Sequence, residues 1–226
     1  MEFKPKETLT EQVAQHLEDM IAAGKLKSGQ RIYEGVMAKE LNVSHGSVRE
    51  ALLLLEKRHL VKNLPRKGNY ITELDEHFVK SLYEALVLIL SHTGMKLLRN
   101  WKNEDIERLE ALYERMNQCF KSGKLLEFLD LGIEYTQTSL AYADNYFLVA
   151  SIQDLWPSAK RCAFVALRQG PKVLQDNLDQ MRHSLDAIKA KDEEELLRII
   201  HFYAQEQCNQ VLACLDPAPR KDPAGE

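Results

Sequence analysis

A mainly α protein, built as a small hairpin-bearing unit followed by a bundle of long helices, is what this 226-residue sequence predicts. Three observations lead there. Glycine (10) and proline (7) are scarce for the length, and few breakers favour long helices. Apolar residues recur at helical spacing along most of the chain, and the period turns extended only between Leu60 and Glu73. Short turn signals then divide the rest into stretches of ordinary helix length.

The first helix is expected over 10–23, with Leu9, Val13, Leu17 and Ile21 on one stripe and Gly24 as its stop. Lys27-Ser28-Gly29 reads as a turn, and a second helix over 33–41 buries Val36, Met37 and Leu41. After Asn42-Val43, Ser44 is placed to cap a third helix running to Lys57, with Val48, Ala51, Leu52 and Leu55 inward. Strands over 60–64 and 69–73 flank the turn Pro65-Arg66-Lys67-Gly68. Helix, helix, short turn, helix, hairpin is the order of a winged helix-turn-helix. Past Asp75, a suitable N-cap, helices are expected over 76–99, 104–122, 125–143, 146–169, 172–190 and 193–214. The fold class is therefore an N-terminal winged helix-turn-helix plus a C-terminal all-helical bundle. The division expected is 1–74, 75–215 and a disordered, proline-bearing tail over 216–226.

Composition excludes several classes. The start, Met1 to Thr10, lacks the apolar core of a signal peptide. The longest clean apolar run, Ala85 to Leu90, is too short to cross a bilayer. Cys119, Cys162, Cys208 and Cys214 form neither a C-x-x-C pair nor zinc spacing, and read as buried small hydrophobes. The expectation is a soluble, cytoplasmic protein without a membrane partner. Net charge is −4, which by itself points to no nucleic acid. The distribution says more. Residues 1–74 hold 12 basic and 10 acidic side chains, and Ser44 to Tyr70 holds six basic against two acidic.

A helix-turn-helix sets the N-terminal residues of its second helix against base edges in the major groove. Those residues are Ser44, His45, Gly46, Ser47 and Arg49. The Arg49 fork can donate to guanine N7 and O6, and the serines and helix-start amides suit bases or phosphates. Gly46 would let the helix approach closely. Arg66, Lys67, Gly68 and Asn69 would put two cations and an amide beside the minor groove or its phosphates.

The same residues carry a resemblance. Gly24-x-Leu26-x-x-Gly29-x-Arg31, Met37-Ala38-x-x-Leu41-x-Val43-Ser44, Val48-Arg49-Glu50-Ala51-Leu52-x-x-Leu55 and Leu60-Val61 resemble the GntR-type bacterial transcription regulators. Asp144-Asn145 and the run Asp186 to Asp192 make the helical remainder similar to the FCD effector domain of the FadR subfamily. The resemblance implies a homodimer on a short pseudo-palindromic double-stranded DNA operator, with a small-molecule effector in the helical domain; the function expected is that of a transcriptional regulator, a repressor rather than an activator. It also brings Arg31 into the DNA-binding set. In the reading head the family usually has Arg at His45, and Thr-Pro or Thr-Thr at Gly46-Ser47, so its half-site is not carried over.

Many FCD domains hold a divalent metal through one Asp and three His. The corresponding positions here are Gly132, Thr136, Met181 and Tyr203, none a strong ligand. Where the subfamily tends to turn an Arg and a Glu into the cavity, this chain has Leu86 and Leu90. The expected pocket, with Leu86, Leu90, Thr136, Arg161, Met181 and Tyr203 as candidates, is apolar and metal-free, and suits a hydrophobic or acyl-type effector. The alternatives are a metal-dependent or metabolic-acid-sensing regulator, or an enzyme with its active site in the bundle. No nucleophile–base pair, phosphate loop or metal-ligand cluster supports an enzyme or a cofactor.

Overall fold

The computed structural model describes residues 8–215; the tail expected to be disordered, 216–226, lies outside the described residues. The chain opens with α1 (Leu9–Ala22), whose N-cap Thr8 forms a capping box with Glu11. Strand β1 (Arg31–Ile32), α2 (Glu34–Leu41) and α3 (His45–Lys57) follow, then the hairpin β2 (Val61–Leu64) and β3 (Gly68–Ile71). The sheet is antiparallel in the order β1-β3-β2, with Arg31 opposite Tyr70 and Val61 opposite Ile71. Val13, Leu17, Ile21, Val48, Leu52, Leu55, Leu60 and Ile71 are buried together as the core of this part.

Strand β1 is absent from the expectation. Two residues carry no period, and β1 exists only because β3, nearly forty residues on, offers it a ladder. The other early elements match the expected ones to within two residues.

Six long helices follow: α4 (Glu76–Asn100), α5 (Asn103–Ser122), α6 (Leu125–Gln137), α7 (Tyr146–Leu167), α8 (Pro171–Ala190) and α9 (Glu193–Ala213). Asp75, Asn145 and Asp192 cap α4, α7 and α9 through side-chain oxygens accepting backbone N–H groups. Among the described residues, none of the helices is long and apolar enough to cross a membrane. The expected helix over 125–143 is corrected: α6 stops at Gln137, and Thr138–Tyr142 tightens into a 3₁₀ turn. Thr136, Thr138 and Ser139 each donate a hydroxyl to a carbonyl three or four residues back, competing with the helical ladder. The cysteine reading also needs correction at one site: Cys214, just past α9, is exposed, whereas Cys119, Cys162 and Cys208 are buried.

The winged part rests on α7. Ser158 Oγ donates to the Arg58 carbonyl at 3.0 Å, and Lys160 Nζ lies 3.1 Å from Asp19 on α1. The Arg161 guanidinium donates to the Thr72 carbonyl at 2.7 Å, and Lys57 pairs with Asp154 at 3.1 Å. A single helix thus carries both faces of the junction.

Candidate nucleic-acid interface and ligand cavity

The start of α3 is built by its cap. Ser44 Oγ accepts the Ser47 N–H at 3.0 Å and shares a 2.9 Å hydrogen bond with the Ser47 hydroxyl. Both serines are therefore set in place by one another before any ligand arrives. Arg49 follows on the exposed side of α3. Its acidic neighbours are engaged elsewhere: Glu50 accepts from the Thr10 hydroxyl at 2.9 Å, and Glu56 accepts the Asn63 N–H at 3.3 Å. Arg49 itself has no hydrogen-bond or ion-pair partner among the described residues. It is a free guanidinium on the first turns of a recognition-type helix.

The wing tip has the layout of a type II turn. Pro65 stands at the second position, the Lys67 N–H reaches the Leu64 carbonyl at 2.9 Å, and Arg66 takes φ 64° at the third. That position ordinarily favours glycine or asparagine, yet here it carries an arginine. Arg66 and Lys67 are exposed and unpartnered among the described residues. Arg31, on the outer strand, lies over the Tyr33 ring at 4.8 Å and beside Gly68, so it joins the same basic edge.

Two expected contacts change. Asn69 is buried in β3, donating to Glu34 at 3.1 Å and accepting from Asn63 at 3.0 Å; its amide braces the sheet rather than facing outward. His45 stays exposed but leans over Gly35 of α2, where an added Cβ would stand 3.1 Å from its Cε1. Gly35 was not singled out by the sequence. Its signal is a glycine at the start of a helix beside the turn, legible only once the α2–α3 packing is known. Gly46 has only the Ser44 hydroxyl within contact reach, so that side of the helix is open.

The second site lies inside the helical half. A partly open cavity of about 170 Å³ lies between α4, α5, α6, α7, α8 and α9. Leu86, Leu90, Thr136, Met181 and Tyr203 all line it, as does Gly132. Arg161 does not. On α7 the cavity is faced by Trp156, Ala159, Lys160, Ala163 and Leu167, spaced three, one, three and four residues apart. Arg161 lies about 100° further round the helix from Lys160 and points to the winged part instead. Burial without a carboxylate partner pushes its pKa down to about 10. Arg168, just past α7, lies exposed over the Phe164 ring and outside the cavity lining.

The lining spends its polar groups internally. Tyr203 donates to Asn177 Oδ1 at 2.6 Å, Tyr135 to the Met181 carbonyl at 3.0 Å, and Thr136 to the Ile133 carbonyl at 2.8 Å. Desolvation raises both tyrosine pKa values well above the ordinary range, so neither is a phenolate ligand. Lys160 is the charged member of the lining, and its ammonium is held by Asp130 at 2.7 Å and Asp19 at 3.1 Å. Burial pushes its pKa down, and the two carboxylates together outweigh that and leave it raised.

The four positions that would hold a metal by resemblance do converge on this cavity, as glycine, threonine, methionine and tyrosine. That donor set does not fit a divalent ion, which needs imidazole, thiolate or carboxylate. His183 and His201 are exposed and outside the lining.

Comparison with known proteins follows the same division. Residues 9–71 match the model of the bacterial regulatory proteins of the gntR family, and residues 81–203 match the FCD domain. The chain is 24% identical over 193 residues to the gluconate operon transcriptional repressor of Bacillus subtilis, covering 84% of this chain and 79% of that protein. It is 23% identical over 188 residues to the HTH-type transcriptional regulator McbR of Escherichia coli, covering 83% and 85%. The solved structure of E. coli McbR/YncC superposes with a TM-score of 0.75 at 21% identity, over 92% of this chain and 99% of that one. The chain belongs to the gntR family of bacterial regulatory proteins, with an FCD domain as its helical part.

Proposed function

We propose that this protein is a transcriptional repressor that binds a pseudo-palindromic operator as a homodimer and responds to a small molecule held in the helical cavity. DNA binding is the family's activity, and the free cationic edge supports it here. The observation that carries the reading is Arg49, unpaired among the described residues at the open start of α3 while both nearby glutamates are engaged elsewhere. A capped helix with a free arginine fork can read guanine, and Arg31, Arg66 and Lys67 add phosphate contacts beside it. In this reading residues 1–74 form the DNA-binding unit and 75–215 the effector and dimerisation unit.

The coupling route runs through α7. Lys160 faces the cavity and pairs with Asp19 of α1, and Arg161, its neighbour, holds the carbonyl that follows β3. A ligand that shifts α7 therefore moves the support of the reading head, which alters how well two heads span two half-sites. Such couplings are typically 1–3 kcal/mol.

The test is a gel-shift titration with DNA from upstream of the protein's own gene, run at several salt concentrations. The expected result is sequence-selective binding that weakens steeply with salt, with one dimer per site. Binding without sequence selectivity, or none, would sink the reading.

A further inference from the structure

The apolar run Ala85 to Leu90 falls within α4 and covers more of the helix than the bundle can bury. Six consecutive apolar residues pass well beyond one full turn, so one of them faces away from the core. That residue is Leu88, which is 68% exposed, while Leu86 and Ile89 are buried and Ala85, Val87 and Leu90 half-buried. Leu86 and Leu90 line the cavity, each about 200° round the helix from Leu88. A leucine standing alone in water is ordinary. Its surroundings are not.

Glu84 and His92 stand one turn before and one turn after Leu88 on the same i, i+4 row, and both are exposed. Neither has a hydrogen-bond or ion-pair partner among the described residues, whereas Lys80 and Arg99 of the same helix are paired with Glu76 and Glu193. Ala85 and Ser91, three residues either side of Leu88, are short and uncharged, which lets a second helix approach. The row runs acid, leucine, imidazole. Turned end for end it runs imidazole, leucine, acid, so the row is complementary to itself. Rows of this i±4 kind pack against one another in the commonest class of helix contact. In an isologous pair every contact forms twice, giving two carboxylate–imidazole contacts either side of a Leu88–Leu88 contact. Apolar area continues beyond the row. Lys96 of α4 holds the Ala143 carbonyl at 2.6 Å, and Tyr146 and Phe147, just past it, are 79% and 78% exposed. Such rings can bury about 150–250 Å² each, and a stable dimer buries about 800 Å² a side.

We infer that the outer row of α4, formed by Glu84, Leu88 and His92, docks a second copy of this chain, antiparallel about a two-fold axis at Leu88. This rests on the homodimer reading and gives it a surface. It also ties assembly to both sites, because α4 starts just after β3 and lines the cavity on its other side.

Sedimentation velocity on the full-length protein over a range of concentrations tests it, with circular dichroism on each variant to check that the helices persist. Wild type should sediment as a dimer. Leu88→Glu should raise the dimer Kd about a hundredfold, because two carboxylates would meet at the desolvated centre. Glu84→Lys and His92→Glu should each raise it roughly tenfold, and the two together should return it to within about threefold of wild type. Misfolding would not give that rescue. If the singles weaken the dimer and the double does not recover it, the two-fold at Leu88 is overturned. A dimer indifferent to all these variants docks through another face, which overturns the assignment and leaves the homodimer reading standing. A wild type that is monomeric both free and on its operator takes down both.

Discussion

At the start of α3 and on the wing, Arg49, Arg66 and Lys67 stand exposed without a partner among the described residues. Along the cavity, Tyr135, Thr136, Ser139 and Tyr203 all donate their hydroxyls to other groups of the same chain. The two sites keep binding capacity in opposite ways. An exposed cation is satisfied by water and loses little by waiting, so a DNA-binding face can hold many free groups at small cost in stability. A buried polar atom has no such substitute, so the hydroxyls beside the cavity are satisfied within the protein. Readiness at the surface is cheap and plural; in the interior it is costly.

The sharpest way to break this comparison is Arg49→Ala. If the exposed arginine is free for DNA and does nothing for the fold, operator affinity should fall by about 1–3 kcal/mol per half-site. Thermal stability should stay within about 0.5 kcal/mol of wild type. Lys67→Ala is the control for phosphate contact: it should weaken all sequences alike and lower the salt slope by about one. A large loss of stability in Arg49→Ala would show that the guanidinium is structural and the head is not read as described.

What the sequence made legible follows the same divide. The serine cap, the arginine after it and the basic turn are local patterns, and neither Arg49 nor Arg66 needs a distant residue to be in place. Most helix limits and the cap at Asp75 were legible for the same reason. Leu86, Leu90, Thr136, Met181 and Tyr203 line one cavity. Arg161 was among the polar groups expected to face it. Only the angular offset from Lys160, fixed by which face of α7 meets α1, turns it to the Thr72 carbonyl.

Arg161 also supplies a middle case, a buried cation that does have an acceptor. Arg161→Met keeps most of the volume, removes a charge whose burial has lowered its pKa to about 10, and leaves the Thr72 carbonyl without its donor. Relief of desolvation offsets part of the lost hydrogen bond, so a net cost of about 1–2 kcal/mol is expected. Urea unfolding measures it. The larger consequence should be in communication: a cavity ligand should still bind, but its effect on operator affinity should shrink, because α7 has lost its hold on the strand end. An unchanged ligand effect would remove Arg161 from the coupling route and leave Lys160–Asp19 to carry it.

The smallest expected effect separates the two regions by their glycines. Gly132 sits inside α6, where a Cβ would meet only the Met116 methyl at 3.5 Å, an ordinary contact with a flexible tip. Gly132→Ala should therefore recover the helix-interior penalty of glycine, about 0.5–1 kcal/mol, and raise Tm by roughly 2–4 °C at most. Gly35 in α2 offers no such gain. Its Cβ would come within 3.1 Å of the His45 ring, so Gly35→Ala must displace that ring by a few tenths of an ångström at the start of α3. The expectation is no rise in Tm with a measurable change in operator binding. Gly132→Ala, in contrast, should leave DNA affinity intact, its new methyl group meeting only the Met116 tip at the cavity wall. Opposite readouts from the same chemical change would tie each glycine to its own site. If both variants simply gained stability, the close packing of His45 on α2 would have no bearing on the reading head.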